Sequence, residues 1–327
     1  MVKKYLITGI TGFVGKHLSN LLAEEGHTIF GAVRTPGHEE LMKDVVSKKT
    51  LDNIHFLSSD LTDRALTEKL FKEQEFDGVF HFAAQSNVDL SFKQPLQTYI
   101  TNTIGTLNIV DSVCRYQPNT SLVFASSGEV YGICDPKKGK ITEDFYLNPA
   151  TPYGVSKAAA ELIVKERANS LKKRFMIGRG FSSTGPGRPR NFAISSDAAQ
   201  IAEIKAGKRD PIINVGDLEK QRAVMDVRDC VKAYYLIMEK GEGGEVYNVA
   251  GEEVKRIGDF LDQMLEISDL NNKVEIKKDP SLLRLVDIPI QMPSSAKIRE
   301  KLGWRQKIPL EQTLKDLLVY WDVKIEE

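Results

Sequence analysis

Tyr153 and Lys157 stand four residues apart in Pro152-Tyr153-Gly154-Val155-Ser156-Lys157, where helical periodicity begins, so one helix face carries both. An ammonium near a tyrosine hydroxyl favours the phenolate and lowers its pKa toward the range where it trades protons. Ser127 ends the strand-like run Ser121-Leu122-Val123-Phe124-Ala125 with Ser126. Its hydroxyl can hydrogen-bond a carbonyl or alcohol oxygen while hydride arrives at or leaves the attached carbon. Glu129 lies two residues further on and adds a carboxylate suited to acid/base work. Alone, a Tyr-x-x-x-Lys spacing also fits a tyrosine packed at a helix N-terminus and a lysine pointing to water. A cofactor turn elsewhere in the chain favours the chemical reading.

That turn is at the start. Val2, Tyr5, Leu6 and Ile7 read as a buried strand, followed by Thr8-Gly9-Ile10-Thr11-Gly12-Phe13-Val14-Gly15 and a helix with Phe13, Val14, Leu18, Leu21 and Leu22 on its apolar face. Gly9 makes the tight turn, Gly12 admits a pyrophosphate to the backbone, and Gly15 lets the helix pack closely on the strand. The second strand, His27 to Arg34, ends in Val33 where an NAD site would place an acidic residue. Arg34 follows and suits a 2′-phosphate, so NADP is expected, with NAD as the alternative. A third strand, Ile54 to Leu57, leads to Asp60 and Leu61; Asp60 is placed to accept from an adenine amino group, and Asp63 to cap a helix through Leu66 and Leu70. The fourth strand, Val79 to Ala84, ends in small residues beside Gln85, so Ala83, Ala84 and Gln85 can lie against the cofactor. His81, inside that strand, reads as a packed core histidine. A loop from Gln85 to Asp89 carries Ser86, and Asn102, a cofactor-binding candidate, opens the next helix region.

After a polar surface loop (135–148) and the helix of Tyr153, a strand from Arg174 to Arg179 returns to the sheet. The pattern then changes. Phe181 to Phe192 is a loop rich in Gly, Pro, Arg and Ser; a helix through Ile194, Ala198 and Ile201 and a strand Pro211–Val215 follow. Asp226 caps an apolar helix to Met238, and Glu245–Val249 is another strand. A surface helix from Asp259, an exposed loop at Arg284 and a last helix with one apolar stripe complete the chain. The expected architecture is α/β: a Rossmann-type doubly wound parallel sheet over 1–178, with returning segments around 224–262, and a smaller α/β substrate domain mainly over 179–327.

Composition excludes several classes. The 327 residues are 41% hydrophobic, and 45 basic residues balance 45 acidic ones, which argues against nucleic acid or membrane as a bulk-charge partner. No stretch approaches the ~20 apolar residues of a membrane span, and no signal-peptide pattern opens the chain, so a cytoplasmic protein is expected. Cys114, Cys134 and Cys230 are isolated, suggesting neither disulfides nor a metal site.

The Gly-rich turn, Ser127, Tyr153 and Lys157 together resemble the extended short-chain dehydrogenase/reductase family, in its nucleotide-sugar-modifying branch, over nearly the whole chain. Pro211 to Glu219, Asp226-Val227-Arg228-Asp229, and Leu283-Arg284 with Val286-Asp287-Ile288-Pro289 are similar to the GDP-4-keto-6-deoxymannose reductases and the GDP-mannose 4,6-dehydratases. The resemblance implies a nucleotide-diphosphate sugar substrate, GDP-linked, and a homodimer formed through the helices beginning near Asn102 and Tyr153. It implies that Arg222 and Arg284 grip the diphosphate, that Arg188, Arg190 and Asn191 approach the nucleotide or its phosphates, and that Ser86 and Ser182 lie at the sugar. Two departures stand out. Phe181-Ser182 replaces the Phe-Asn of many relatives, and Gly128 stands where dehydratases with an Asp-Glu pair carry the Asp. Ser127, Tyr153 and Lys157 suffice for a C4-ketone reductase using NADPH. Glu129 keeps a 4,6-dehydratase open, and a C4 epimerase with retained NAD would use the same three residues. A catalytically silent cofactor-binding scaffold would have no need of them.

Overall fold

The computed structural model describes residues 1–35, 37–283 and 285–326. Its strands are β1 (Lys4–Thr8), β2 (Thr28–Val33), β3 (Ile54–Ser58), β4 (Gly78–His81), β5 (Ser121–Ser127), β6 (Phe175–Gly180), β7 (Ser183–Thr184), β8 (Ile212–Val215), β9 (Gln221–Ala223), β10 (Met225–Asp226), β11 (Val246–Val249), β12 (Val254–Arg256) and β13 (Glu275–Lys278). The helices are α1 (Phe13–Glu24), α2 (Lys48–Leu51), α3 (Arg64–Glu73), α4 (Val88–Lys93), α5 (Pro95–Tyr99), α6 (Gly105–Tyr116), α7 (Pro152–Ser170), α8 (Ala193–Lys205), α9 (Val227–Lys240), α10 (Ile257–Ile267), α11 (Ala296–Leu302) and α12 (Leu310–Glu326).

Seven strands pair in parallel in the order β11-β6-β5-β4-β1-β2-β3, the doubly wound arrangement expected from the sequence. Strands such as Leu122-Val123-Phe124 are apolar throughout because both sheet faces are covered. One face packs Tyr5, Ile7, Phe80, Val123 and Met176 against Leu18 and Leu22 of α1 and Val231, Tyr234 and Ile237 of α9. The other packs Leu6, Val79, Leu122 and Phe124 against Leu70 of α3, Ile109 and Val113 of α6, and Ala160 and Val164 of α7. The strand order reverses between β1 and β4, which opens a crevice at the carboxyl ends of the strands.

A third apolar cluster joins Ile194, Ala198 and Ile201 of α8, Ile213 and Val215 of β8, and Leu314, Leu317 and Leu318 of α12. Helix α10 belongs to it through Phe260, Leu261, Met264 and Leu265. The surface helix expected from Asp259 is therefore a packed one. Asp259 itself stays outside and caps, its Oδ2 accepting from the Arg256 N–H at 2.9 Å.

Two other expectations change. Val2 is exposed, and β1 begins at Lys4. The region from Gln85 to Asn102 is mostly helix: Asn87 caps α4 by accepting from the Leu90 N–H at 2.8 Å, Pro95 starts α5, and a π turn over Ile100–Ile104 runs into α6. Asn102 thus lies inside a continuous helical run. None of the described helices is long and apolar enough to cross a membrane.

Candidate active site

The crevice is a cleft of about 980 Å³ between the carboxyl ends of the sheet strands and the lobe built on α8, β8 and α12. Its walls include Gly9, Thr11, Gly12, Phe13, Val14, Gly15, Arg34, Asp60, Leu61, Ala83, Ala84, Gln85 and Ser86 from the first part of the chain. Ser127, Glu129, Tyr153, Lys157, Ser182, Arg188, Arg190, Asn191 and Arg222 meet them across it. Arg284 lies outside the described residues.

Asn102 does not reach the cleft. It is buried behind the wall, where its Oδ1 accepts from the Gln85 N–H at 2.7 Å and its Nδ2 donates to the Gln85 carbonyl at 3.0 Å and to Ser156 Oγ at 2.9 Å. A side chain committed to these internal bonds fixes the Gln85 backbone to α7 from behind the cleft wall. His81 is the core histidine expected, bonded to Thr8 Oγ1 at 2.7 Å and Thr106 Oγ1 at 2.9 Å. Burial, with the Lys157 charge, pushes its pKa down to about 3, so it stays neutral.

The Gly-rich turn fits a dinucleotide. Gly9 has φ of 72°, and a Cβ there would lie 2.7 Å from Ala83 N; a Cβ on Gly15 would lie 2.4 Å from Gly9 O. Only glycine allows the turn to nest between β4 and α1 in this way. No side chain caps α1, so its first N–H groups remain available for phosphate oxygens where Gly12 to Gly15 line the cleft. Further along, the buried Ser59 Oγ lines the cleft without a hydrogen-bond partner among the described residues, a donor placed for a ligand that the sequence did not reveal. Asp60 Oδ1 accepts from Thr62 N–H at 2.9 Å and Thr62 Oγ1 at 2.8 Å. Those bonds, with the nearby Arg34 charge, hold the carboxyl below its usual pKa. Arg34 itself is exposed at the rim.

Ser127, Tyr153 and Lys157 all line the cleft, at the end of β5 and the start of α7. Thr151 caps α7 by accepting from the Gly154 N–H at 3.0 Å, and the Tyr153 N–H donates to Ser91 Oγ at 3.1 Å, so the first turn of the helix is fixed from both sides. The Tyr153 hydroxyl hydrogen-bonds Ser127, whose Oγ also accepts from the Glu129 N–H at 3.2 Å. Burial raises the Tyr153 pKa to about 12, against the lowering effect of the Ser127 bond. Lys157 is buried with its Nζ 4.2 Å from the centroid of the Phe124 ring, and burial pushes it down to about 7 against the attraction of Glu161. In the protein alone burial dominates both groups, holding the phenol up and the ammonium down.

Glu161 anchors this end of α7. It pairs with Arg179 at 2.6 Å and accepts from Ser126 Oγ at 2.5 Å, while Arg179 donates to Tyr131 Oη at 2.6 Å and Tyr131 donates to Asn248 Oδ1 at 2.7 Å. This buried, fully bonded network ties α7 to β5, β6 and β11.

On the opposite wall, the Arg188 guanidinium lies 3.5 Å from the Phe192 ring centroid and 4.9 Å from that of Phe13, so it bridges the two lobes. Burial lowers its pKa to about 10, which leaves it charged. Arg190 is turned outward to Glu203 at 2.5 Å. Arg222 lines the cleft, but its guanidinium donates to the carbonyls of Ile288 at 2.7 Å, Gln221 at 2.9 Å and Pro289 at 3.3 Å. It therefore fastens β9 to the 287–289 segment as well as facing the cleft. Gln291 Nε2 approaches Glu129 Oε1 at 3.4 Å across 162 residues of chain, a contact with no local sequence signal.

Residues 6–317 match the family described as GDP-mannose 4,6 dehydratase. The chain is 30% identical to GDP-6-deoxy-D-mannose reductase of Pseudomonas aeruginosa, with all of both chains covered. It is 26% identical to GDP-mannose 4,6-dehydratase of Yersinia enterocolitica over 97% of this chain and 93% of that one. Among solved structures, that of RMD from Pseudomonas aeruginosa complexed with NADPH is similar with a TM-score of 0.84 and 29% identity, over 99% of this chain and 100% of that one. The chain belongs to the GDP-mannose 4,6 dehydratase family, within the NAD(P)-dependent enzymes of the short-chain dehydrogenase/reductase type that modify nucleotide sugars.

Proposed function

We propose that the protein reduces the C4 ketone of GDP-4-keto-6-deoxy-D-mannose to give GDP-6-deoxy-D-mannose, consuming NADPH. The observation that carries this reading is the Tyr153–Ser127 hydrogen bond beside a buried Lys157, in a cleft where position 128 offers no acid. Likeness to the Pseudomonas aeruginosa reductase supports the substrate.

Gly9 to Gly15 and the N-terminus of α1 hold the cofactor diphosphate, Ala83 and Ala84 leave room for it, and Arg34 meets the 2′-phosphate of NADP. When bound, NADPH supplies the hydride that reduces the carbonyl carbon. Ser127 donates to the ketone oxygen and so polarises it, and Tyr153 delivers the proton that the oxygen takes up as charge develops. Lys157, protonated beside anionic ligands, stabilises the negative charge left on Tyr153 and orients the cofactor ribose. Arg188 steadies the diphosphate of the sugar nucleotide. The enzyme works as a cytoplasmic homodimer paired through α5, α6 and α7.

A second reading, a GDP-mannose 4,6-dehydratase, is favoured by Glu129, which lines the cleft within reach of Tyr153's electrostatic field. There Glu129 would take the C5 proton and assist loss of the C6 hydroxyl. The two reactions differ in redox stoichiometry: reduction consumes one NADPH per product, whereas dehydration returns the hydride it takes. Purified protein is given GDP-mannose alone and, separately, the 4-keto sugar with NADPH, and cofactor absorbance and product mass are followed. NADPH oxidation with the keto sugar supports the reductase. Loss of water from GDP-mannose without added reductant, and no NADPH oxidation, installs the dehydratase.

A further inference from the structure

Asp197 is a carboxylate in an unusual place. It sits in α8, only 3% exposed, yet it forms part of the cleft wall alongside Ile194 and the Asn214–Gly216 end of β8. No described residue hydrogen-bonds or ion-pairs with it. One turn further along, Gln200 clamps the neighbouring strand by accepting from the Asn214 N–H at 2.9 Å and donating to the Asn214 carbonyl at 3.0 Å, so α8 and β8 are joined beside Asp197. A buried carboxyl without partners is costly, and burial alone lifts its pKa to about 8. Such a group is explained when a ligand brings the missing donors.

Position identifies which part of the ligand. The Gly-rich turn takes the cofactor at one end of the cleft, and Ser127 and Tyr153 mark the reacting centre in the middle. Asp197 lies in the other lobe, where the nucleotide end of a sugar nucleotide must extend. Two N–H donors from a ligand favour the ionised form against burial; so ionised, the carboxylate only accepts, and its two oxygens match two adjacent N–H donors. Guanine presents such a pair. Uracil and thymine place N3–H between two carbonyl oxygens, and adenine and cytosine set their amino group beside a ring nitrogen acceptor; each of these edges would face the carboxylate with a lone pair.

We propose that Asp197 reads the substrate's base, its carboxylate accepting from the N1–H and the exocyclic amino group of guanine. The assignment rests on the reading of this cleft as a nucleotide-sugar site. It gives the guanine preference a chemical ground separate from family likeness.

The test is calorimetric binding of GDP, IDP, UDP and N1-methyl-GDP to the wild-type protein, and of the first three to Asp197→Asn and Asp197→Ala. IDP lacks the amino group, and N1-methyl-GDP cannot donate from N1. Wild type should bind GDP at least about 10-fold tighter than IDP or N1-methyl-GDP and about 100-fold tighter than UDP. Each substitution should cut GDP affinity by about 100-fold and erase the GDP–IDP difference, leaving UDP binding within about 3-fold. A wild type that prefers UDP overturns the GDP reading itself. A wild type that prefers GDP, with variants keeping that preference, overturns Asp197 alone. Should the variants fail to fold, equal wild-type binding of GDP, IDP and N1-methyl-GDP overturns the assignment equally well.

Discussion

The Phe181 ring fills the space into which a side chain at Gly128 would project: a Cβ built there would lie 2.5 Å from Cδ1 of the ring. Phe181 is in turn stacked on the buried Tyr131, with centroids 6.0 Å apart and planes inclined by 21°. Glu129 therefore has no room for an acidic neighbour unless this aromatic pair moves. Gly128→Asp should lower stability by about 1–3 kcal/mol, the usual cost of overpacking, and gain no dehydratase activity. Adding Phe181→Ala should recover part of the loss. Thermal melts check the first expectation and water loss from GDP-mannose the second; a stable Gly128→Asp protein that dehydrates GDP-mannose would show that the ring is no barrier.

The central pair has a pH signature. In the protein alone Tyr153 is held up at about 12 and Lys157 down at about 7, both mainly by burial. Tyr153→Phe should slow turnover by about 10²–10⁴-fold, the range for a positioned acid, with cofactor affinity changed little. An anionic cofactor binds the charged form of Lys157 better, so NADPH affinity should fall as pH rises from about 7 to 9, and Lys157→Met should flatten that fall. Titrations of cofactor fluorescence across this range decide it. A slope that survives in Lys157→Met would assign it to another group.

Arg34 stands exposed at the end of β2, close enough to Asp60 for its charge to be felt there. If it meets the 2′-phosphate, Arg34→Ala should weaken NADPH by about 10-fold or more while leaving NADH nearly unchanged, because a charge-assisted bond is lost only from the phosphorylated cofactor. Equilibrium binding of the two cofactors to both proteins is the measurement. Wild-type preference for NADH, untouched by the substitution, would sink the expectation.

What was readable in the sequence was local. The glycines of the first turn, the four-residue step from Tyr153 to Lys157, the Asp63 and Asp226 caps and the apolar strands each carry their signal within a few residues, and each formed as read. Long-range relationships were not readable. Asn102 stood among the cofactor candidates as a polar residue opening the helix region after the Gln85 loop; only the fold reveals its bonds to Gln85 and Ser156. Helix α4 was hidden because its six residues are too few to show a helical period, and its cap, Asn87, is equally at home in a turn. Lys157 shares a helix face with Tyr153, and the same spacing puts Glu161 one turn below it; that the lysine and Glu161 are both buried, so that each feels the other's charge, appears only in the fold. Asp197 does not stand out, because a helix read through Ile194, Ala198 and Ile201 gives no local sign that a carboxylate beside them is buried.

The dimer implied by the family resemblance has support in surface chemistry. Leu96 of α5, Ile104 of the π turn, and Val155 and Leu162 of α7 are all exposed, on helices packed against one another. Val155 and Leu162 are seven residues apart and so share a face. A cluster of exposed apolar side chains on adjoining helices fits a helix-bundle interface between two copies. Leu162→Glu should shift the protein from dimer to monomer by light scattering after gel filtration, with its circular dichroism unchanged. An unaltered mass would move the interface elsewhere, and a monomeric wild type would remove it.

Asp197 also leaves a mark on stability without any ligand. Its pKa rises from an ordinary 3.8 to about 8 in the folded protein because burial penalises the charge. Between those values the folded chain keeps a proton that the unfolded chain has lost, so the native state binds more protons and its stability falls as pH rises through that window. Lys157 acts with the opposite sign and at higher pH: lowered from 10.5 to about 7, it makes stability rise with pH from about 7 upward. Comparing wild type with Asp197→Asn cancels the lysine and every other shared group, since the amide has a similar shape and no proton to lose. The difference in unfolding free energy should lie near its floor at about pH 4 and grow in favour of Asp197→Asn up to about pH 8, where it levels off. Denaturant melts of the two proteins across that range measure it. Parallel profiles would mean that the Asp197 carboxyl ionises in the folded protein as freely as in the unfolded chain, and the case for an unmet acceptor at the base end of the cleft would fall with it.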